Sequence, residues 1–147
     1  MYVPDLCIAE AFKVLAKKRY REAAFSSPSS YYAARDKLSA DVSMSHKELQ
    51  KPKRHVKYHD VPATRDIIVA IGRFYELFMN HQLNVGVIDL IVVSTAKYLM
   101  DFHDAQRGQI HMVTADKALW RGTKKVNELP NAYNPREAAD AFDRVFE

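Results

Sequence analysis

Residues Val85–Phe102 read VGVIDLIVVSTAKYLMDF, and whether this stretch is a strand or a helix decides the fold. Val85 to Val93 is rich in β-branched residues and fits a buried strand or a buried helix equally well. Length arbitrates. The apolar character continues through Ala96, Tyr98, Leu99 and Met100 among good helix formers, further than an ordinary strand extends. The stretch therefore reads as a buried helix from Val87 to about Phe102, which puts Asp89 in its first turn.

Upstream, Ile67, Ile68, Ile71, Phe74, Tyr75 and Phe78 recur at helical spacing and predict an amphipathic helix over Ala63–Asn80, with His81–Gly86 as the connection. Downstream, Gln106–Gln109 is a turn and Ile110–Thr114 a short strand. Ala115 and Asp116 make a tight strand-to-helix junction, and Lys117–Arg121 is the helical turn after it. Val126–Leu129 reads as a last edge strand and Ala138–Phe146 as a terminal helix. Near the N-terminus, Pro4 and Asp5 open a helix reaching about Ala24, with Ile8, Phe12 and Leu15 as its apolar stripe. Phe25–Ser30 (FSSPSS) is a breaker, Tyr31–Asp41 fits a helix, and Ser45–Glu48 has capping-box spacing. Lys51–Pro62 reads as a loop or a short edge strand, inside an irregular region over Phe25–Pro62. Helices alternating with a few short strands predict a three-layer α/β domain with a parallel sheet.

A chain of 147 residues is large enough for one domain with a proper core. No apolar run approaches the ~18 residues that span a bilayer, and the N-terminal residues lack the pattern of a signal peptide. A single cysteine, Cys7, excludes an intramolecular disulfide and a multi-cysteine zinc site. The expected setting is cytoplasmic, away from membranes. The formal charge of +4 is concentrated in His46–His59, where Lys47, Lys51, Lys53, Arg54 and Lys57 face only Glu48. Such a patch on an otherwise neutral body suits contact with a phosphate backbone, or it is a solvated loop.

Three acids lie in or beside apolar runs, where a carboxylate is costly unless compensated. Asp116 follows a strand, the usual place for a ligand site in parallel α/β sheets, but it also fits the N-cap of the next helix. Asp89 sits among Val85, Val87, Ile88, Leu90 and Ile91, where it gains from the helix dipole or holds a cation. Glu10 has Lys13 and Lys17 near its helical face, so a surface ion pair accounts for it in isolation. Other constellations are weaker. His55 and His59 have a ligand spacing but no third partner, Cys7 reads as core, and the four glycines are too dispersed for a phosphate loop.

Taken in order, VPDLCIAEAFKVL around Glu10, IDLIVVSTAKYLMD around Asp89 and HMVTADKAL around Asp116 resemble the PIN domain, a family of metal-dependent ribonucleases that includes many toxins of toxin–antitoxin pairs. The resemblance is best over Tyr2–Ala24 and Asn84–Pro130. It implies a PIN-like three-layer α/β/α domain over residues 1–147, with 25–62 as a basic insertion. Glu10, Asp89 and Asp116 would bind Mg²⁺ or Mn²⁺, and Thr114 would shape the site. Lys51, Lys53, Arg54 and Lys57 would contact RNA, and Tyr31, Tyr32 and Tyr58 would stack on bases. The family's first strand carries a fourth acid upstream of the glutamate segment. The chain starts at Met1 without it, so the resemblance implies an N-terminally truncated sheet: either the reading frame starts late, or the sheet is repaired otherwise, as by swapping elements with a neighbour in a homo-oligomer. The activity implied is hydrolysis of RNA phosphodiesters, with an antitoxin as partner. The alternative is a PIN-like module, catalytically impaired, that binds RNA or assembles with protein.

Overall fold

The structure is a computed structural model and describes residues 2–42 and 59–137. It falls into two compact units, Met1–Pro62 and Ala63–Glu147. Both are mixed α/β, and among the described residues each contains one short pair of parallel strands.

In the first unit β1 (Tyr2–Pro4) runs parallel to β2 (His59–Val61), with Tyr2 opposite His59 and Pro4 opposite Val61. Pro4 leaves β1 at φ −62° and leads directly into α1 (Asp5–Tyr20), with Asp5 in the first turn and Lys17, Lys18 and Arg19 in the last. Those charges match the helix dipole at both ends. Leu6, Ile8, Phe12 and Leu15 are only half-buried, and no residue of α1 is fully buried. The helix stops at Tyr20 rather than near Ala24.

The expected breaker at Phe25–Ser30 ends sooner than its sequence suggests, because α2 (Pro28–Val42) begins at its proline. Proline at the first helical position has no intrahelical N–H to lose. Ser27 and Ser30 then cap the start reciprocally. The Ser30 N–H donates to Ser27 Oγ (3.2 Å), and the Ser27 N–H donates to Ser30 Oγ (3.3 Å). The region over Phe25–Pro62 is thus not irregular throughout, since fifteen of its residues form a regular helix. Tyr31 is buried among the rings of Tyr20, Phe25 and Tyr32, with centroids 5.2 to 5.9 Å away.

In the second unit α3 (Arg65–Asn80) packs against α4 (Val87–Phe102). Thr64 caps α3 by accepting from the Ile67 N–H at 3.5 Å. The two helices end alike. Gln82 (φ 57°) and Asp104 (φ 48°) turn left-handed, and the next residues, Leu83 and Ala105, donate back to Phe78 O and Met100 O. This six-to-one closure satisfies carbonyls that a helix end leaves open.

The chain then forms β3 (His111–Val113), α5 (Lys117–Lys125) and β4 (Asn131–Tyr133), a parallel β–α–β crossover with Met112 opposite Ala132. The edge strand expected at Val126–Leu129 is a turn instead. Val126 closes α5 by donating to Gly122 O, and Leu129 donates to Val126 O. Both side chains are buried, so their apolar character serves the core, and pairing starts only after Pro130. The core joins Phe74 and Phe78 of α3, Leu90, Val93 and Ala96 of α4, Met112 of β3, and Leu119 of α5 with Val85, Val126 and Leu129. Among the described residues no helix is long and apolar enough to cross a membrane.

Candidate functional site

The second unit places two of the three acids at starts of helices that share one core. At the start of α4, Gly86 is the N-cap and Asp89 is the third helical residue. The Asp89 carboxylate accepts from the Gly86 N–H through Oδ2 at 3.2 Å. Glycine has no side chain to return the bond, so this is the acidic half of a capping box. Leu90, the next residue, is buried in the core. That arrangement supplies a local reason for a half-buried carboxylate in apolar company, since it satisfies an otherwise open N–H and lies at the positive end of the helix.

Asp116 stands where β3 gives way to α5. Its Oδ1 accepts from the Leu119 N–H at 2.8 Å, which makes it the N-cap of α5. Thr114 orients it. The Thr114 N–H donates to Tyr133 O across the strand pair at 2.9 Å, and Thr114 Oγ1 accepts from the Asp116 N–H at 3.1 Å. Threonine, one residue, aspartate is therefore a built corner: the sheet fixes Thr114, Thr114 fixes Asp116, and Asp116 starts the helix. The Asp116 residue is exposed.

Glu10 belongs to the first unit, on α1. Both of its carboxylate oxygens face Lys13 Nζ, at 3.1 and 3.2 Å, and its side chain is 40% exposed. The ion pair read from the sequence is present. Among the described residues no group of three or more His, Cys, Asp or Glu side chains is arranged to hold a metal ion.

Of the remaining candidates, Lys51, Lys53, Arg54 and Lys57 lie outside the described residues, as do His55, Tyr58, the capping-box spacing at Ser45–Glu48 and the terminal helix expected over Ala138–Phe146. His59 pairs its ring with Tyr2 at 5.2 Å across β1 and β2, so it serves the strand pair. Tyr31, expected to stack on bases, is 8% exposed and encased by other rings, which removes it from that role. Tyr32 remains exposed, with the Arg35 guanidinium 5.1 Å from its ring centre.

A further basic face emerges only when the chain is wound into a helix. Helix α5 (KALWRGTKK) carries Lys117, Arg121, Lys124 and Lys125 with no acid between them. All four cations are exposed, while Leu119, Gly122 and Thr123 on its other side are buried. Its basic residues are spread at helical spacing rather than in a run, and a search for contiguous charge passes over them.

No family model, no curated protein and no solved structure matches this chain. The likeness to PIN domains rests on the three quoted segments.

Proposed function

We propose that this chain is a PIN-like module acting on RNA, with Asp89, Asp116 and Glu10 as the acids of a Mg²⁺- or Mn²⁺-dependent phosphodiesterase. The observation that carries the reading is the corner at Thr114–Asp116. A short parallel strand ends in a threonine that holds an aspartate, exposed, at the start of the next helix. In this reading the fold is of the PIN-like three-layer α/β/α class with a short parallel sheet.

The donors are of the right kind, because a hard divalent cation takes carboxylate oxygens. Asp116 engages one oxygen in its cap, and a carboxylate offers about four acceptor sites. Glu10 already holds a cation, the Lys13 ammonium, which a metal would displace. When bound, the ion would lower the pKa of a water and offset charge on the scissile phosphate. Thr114 would keep the Asp116 carboxylate in one orientation, and Asp89 would hold the start of α4 while supplying its charge.

The test is cleavage of single-stranded RNA by the full chain in Mn²⁺ or Mg²⁺, with and without EDTA. Asp89→Asn and Asp116→Asn retain an oxygen that accepts the capping N–H and remove only charge. Each is expected to lower cleavage by at least about 100-fold, the upper end of what the outer-shell partners of metal ligands contribute, with the folded structure intact. A homogeneous preparation that cleaves no RNA in Mn²⁺ refutes the nuclease reading.

A second reading has its own support: Glu10, Asp89 and Asp116 each have a sufficient local role as ion pair, capping acid and N-cap. A binding module without catalysis accounts for all three, and it predicts RNA binding that EDTA leaves unchanged.

A further inference from the structure

We infer that the outer face of α5 is a docking surface for the phosphate backbone of single-stranded nucleic acid, with Trp120 as its stacking platform. The inference deepens the proposed function by naming where the polymer lies, and it rests on that reading only for the identity of the polymer.

Arg121, Lys124 and Lys125 occupy positions i, i+3 and i+4 on one side of the helix, and all three are exposed. Among the described residues no carboxylate lies within ion-pair distance of any of them. Lys117 differs, because Glu137 holds its ammonium at 3.2 Å. The usable charge is therefore the C-terminal half of α5, where three cations add to one another with no acid among them.

Trp120 lies one turn before Lys124, and the Lys124 ammonium sits over the indole at 3.5 Å from the ring centre. That contact fixes a long side chain that would otherwise sample many rotamers. It also links two sites. A phosphate competes with the ring for the ammonium, and when Lys124 turns to the phosphate it uncovers an indole face on which a base can stack.

A membrane surface is a poorer occupant. An interfacial helix buries an apolar face in the acyl region, whereas the apolar side of α5, Leu119 with Gly122 and Thr123, is already sealed into the core. What α5 shows the solvent is cations and part of one indole, the combination that binds single strands without reading their sequence.

Trp120 is the only tryptophan, so its emission reports from this face alone. The full chain is titrated in EDTA, where no metal-dependent cleavage proceeds, with a uridine 15-mer; affinities are read from the anisotropy of a labelled copy. Saturable quenching of Trp120 is expected, with an affinity that falls as salt rises. The double variant Arg121→Ala, Lys124→Ala should lower the slope of log K against log salt by about 1.4, at ~0.7 for each single-strand phosphate contact. Carried from 1 M to 0.1 M salt, that slope is roughly a 25-fold loss of affinity at the lower concentration. Trp120→Phe should weaken binding and leave the slope unchanged. Circular dichroism confirms that each variant is folded.

A slope and affinity unchanged in the double variant overturn the proposal. So does equal or tighter binding to phosphatidylserine vesicles, which would assign the face to a membrane. Loss of cleavage with retained quenching in EDTA refutes the nuclease reading and leaves this one standing.

Discussion

Alanine in place of glycine in a helix interior normally stabilises, by about 0.5–1 kcal/mol, because glycine loses more backbone freedom on folding. Gly72 and Gly122 are both helix-interior glycines, and the structure predicts opposite signs for them. A Cβ at Gly72 would meet nothing within 4 Å, so Gly72→Ala should raise stability by that amount. A Cβ at Gly122 would lie 2.2 Å from Phe78 Cε1 and 2.7 Å from Cζ, against 3.4–4 Å for ordinary contact. More than an ångström must be found, and it cannot come from a flexible chain end. Phe78 is fully buried at the middle of the core that α3, α4 and α5 share, so either its ring leaves its rotamer or α5 lifts off. Overpacking of this kind costs about 1–3 kcal/mol, and the propensity gain returns at most about 1. The net expectation for Gly122→Ala is a loss of about 1–2 kcal/mol. Urea unfolding followed by circular dichroism at constant m-value measures both variants. Phe78→Leu should make Gly122→Ala less costly than it is in the parent, a coupling that a double-mutant cycle reads directly. A Gly122→Ala variant as stable as the parent would refute the packing argument, whatever Gly72→Ala does.

Further outcomes follow from single contacts. Gln82 holds φ at 57° where α3 ends, a conformation costing a non-glycine residue about 1–2 kcal/mol. Gln82→Gly should therefore raise stability by roughly 0.5 kcal/mol after the entropy of glycine is subtracted, and a loss in the urea midpoint would contradict it. Arg107 ties the turn before β3 to the elements after it, donating to Asn131 Oδ1 at 2.9 Å, Asn127 Oδ1 at 3.1 Å and the Thr123 carbonyl near the end of α5. Arg107→Ala should cost about 1–2 kcal/mol, since partly exposed charged donors regain water when released. Hydrogen exchange should show β4 losing protection with it. Asp116→Ala removes the cap of α5 and should cost about 1 kcal/mol, whereas Asp116→Asn should leave the midpoint nearly unchanged.

Helix α4 was legible because length settles what composition leaves open: its β-branched start fits a strand as well as a helix, but the apolar run continues too far for a strand, and Gly86 emerges as its cap only in the structure. Helix α2 was half legible. Pro28 carries two meanings, and only Ser27 and Ser30, which cap each other, select the start over the stop. The last strand was misplaced because Val126 and Leu129 look like strand residues by composition, while their burial comes from plugging the core beside α5. The basic face of α5 was invisible to a search for charge runs, since its cations emerge together only once the chain is wound at 3.6 residues per turn. The candidate site was legible as three separate acids with their competing local roles. What brings acids together is tertiary, and spacing along a chain carries no record of it.

Capping and metal binding look alike in sequence for a physical reason. Both demand a short carboxylate, held close to backbone, at the start of a helix. Nor do they exclude each other, because the Asp116 cap engages one oxygen and fixes the rotamer, and a fixed ligand gives up less entropy when a cation arrives. A hydrogen-bonded cap is therefore no argument against a metal site, and the corner at Thr114–Asp116 is compatible with both roles at once. Charge is the property that separates the two roles. Asparagine accepts the Leu119 N–H as well as aspartate does but supplies a neutral oxygen to a hard cation. An Asp116→Asn protein with unchanged stability and abolished Mn²⁺-dependent cleavage identifies a ligand that also caps. One in which stability and RNA handling both stay unchanged identifies a cap alone, and the same pair of measurements on Asp89→Asn decides the start of α4.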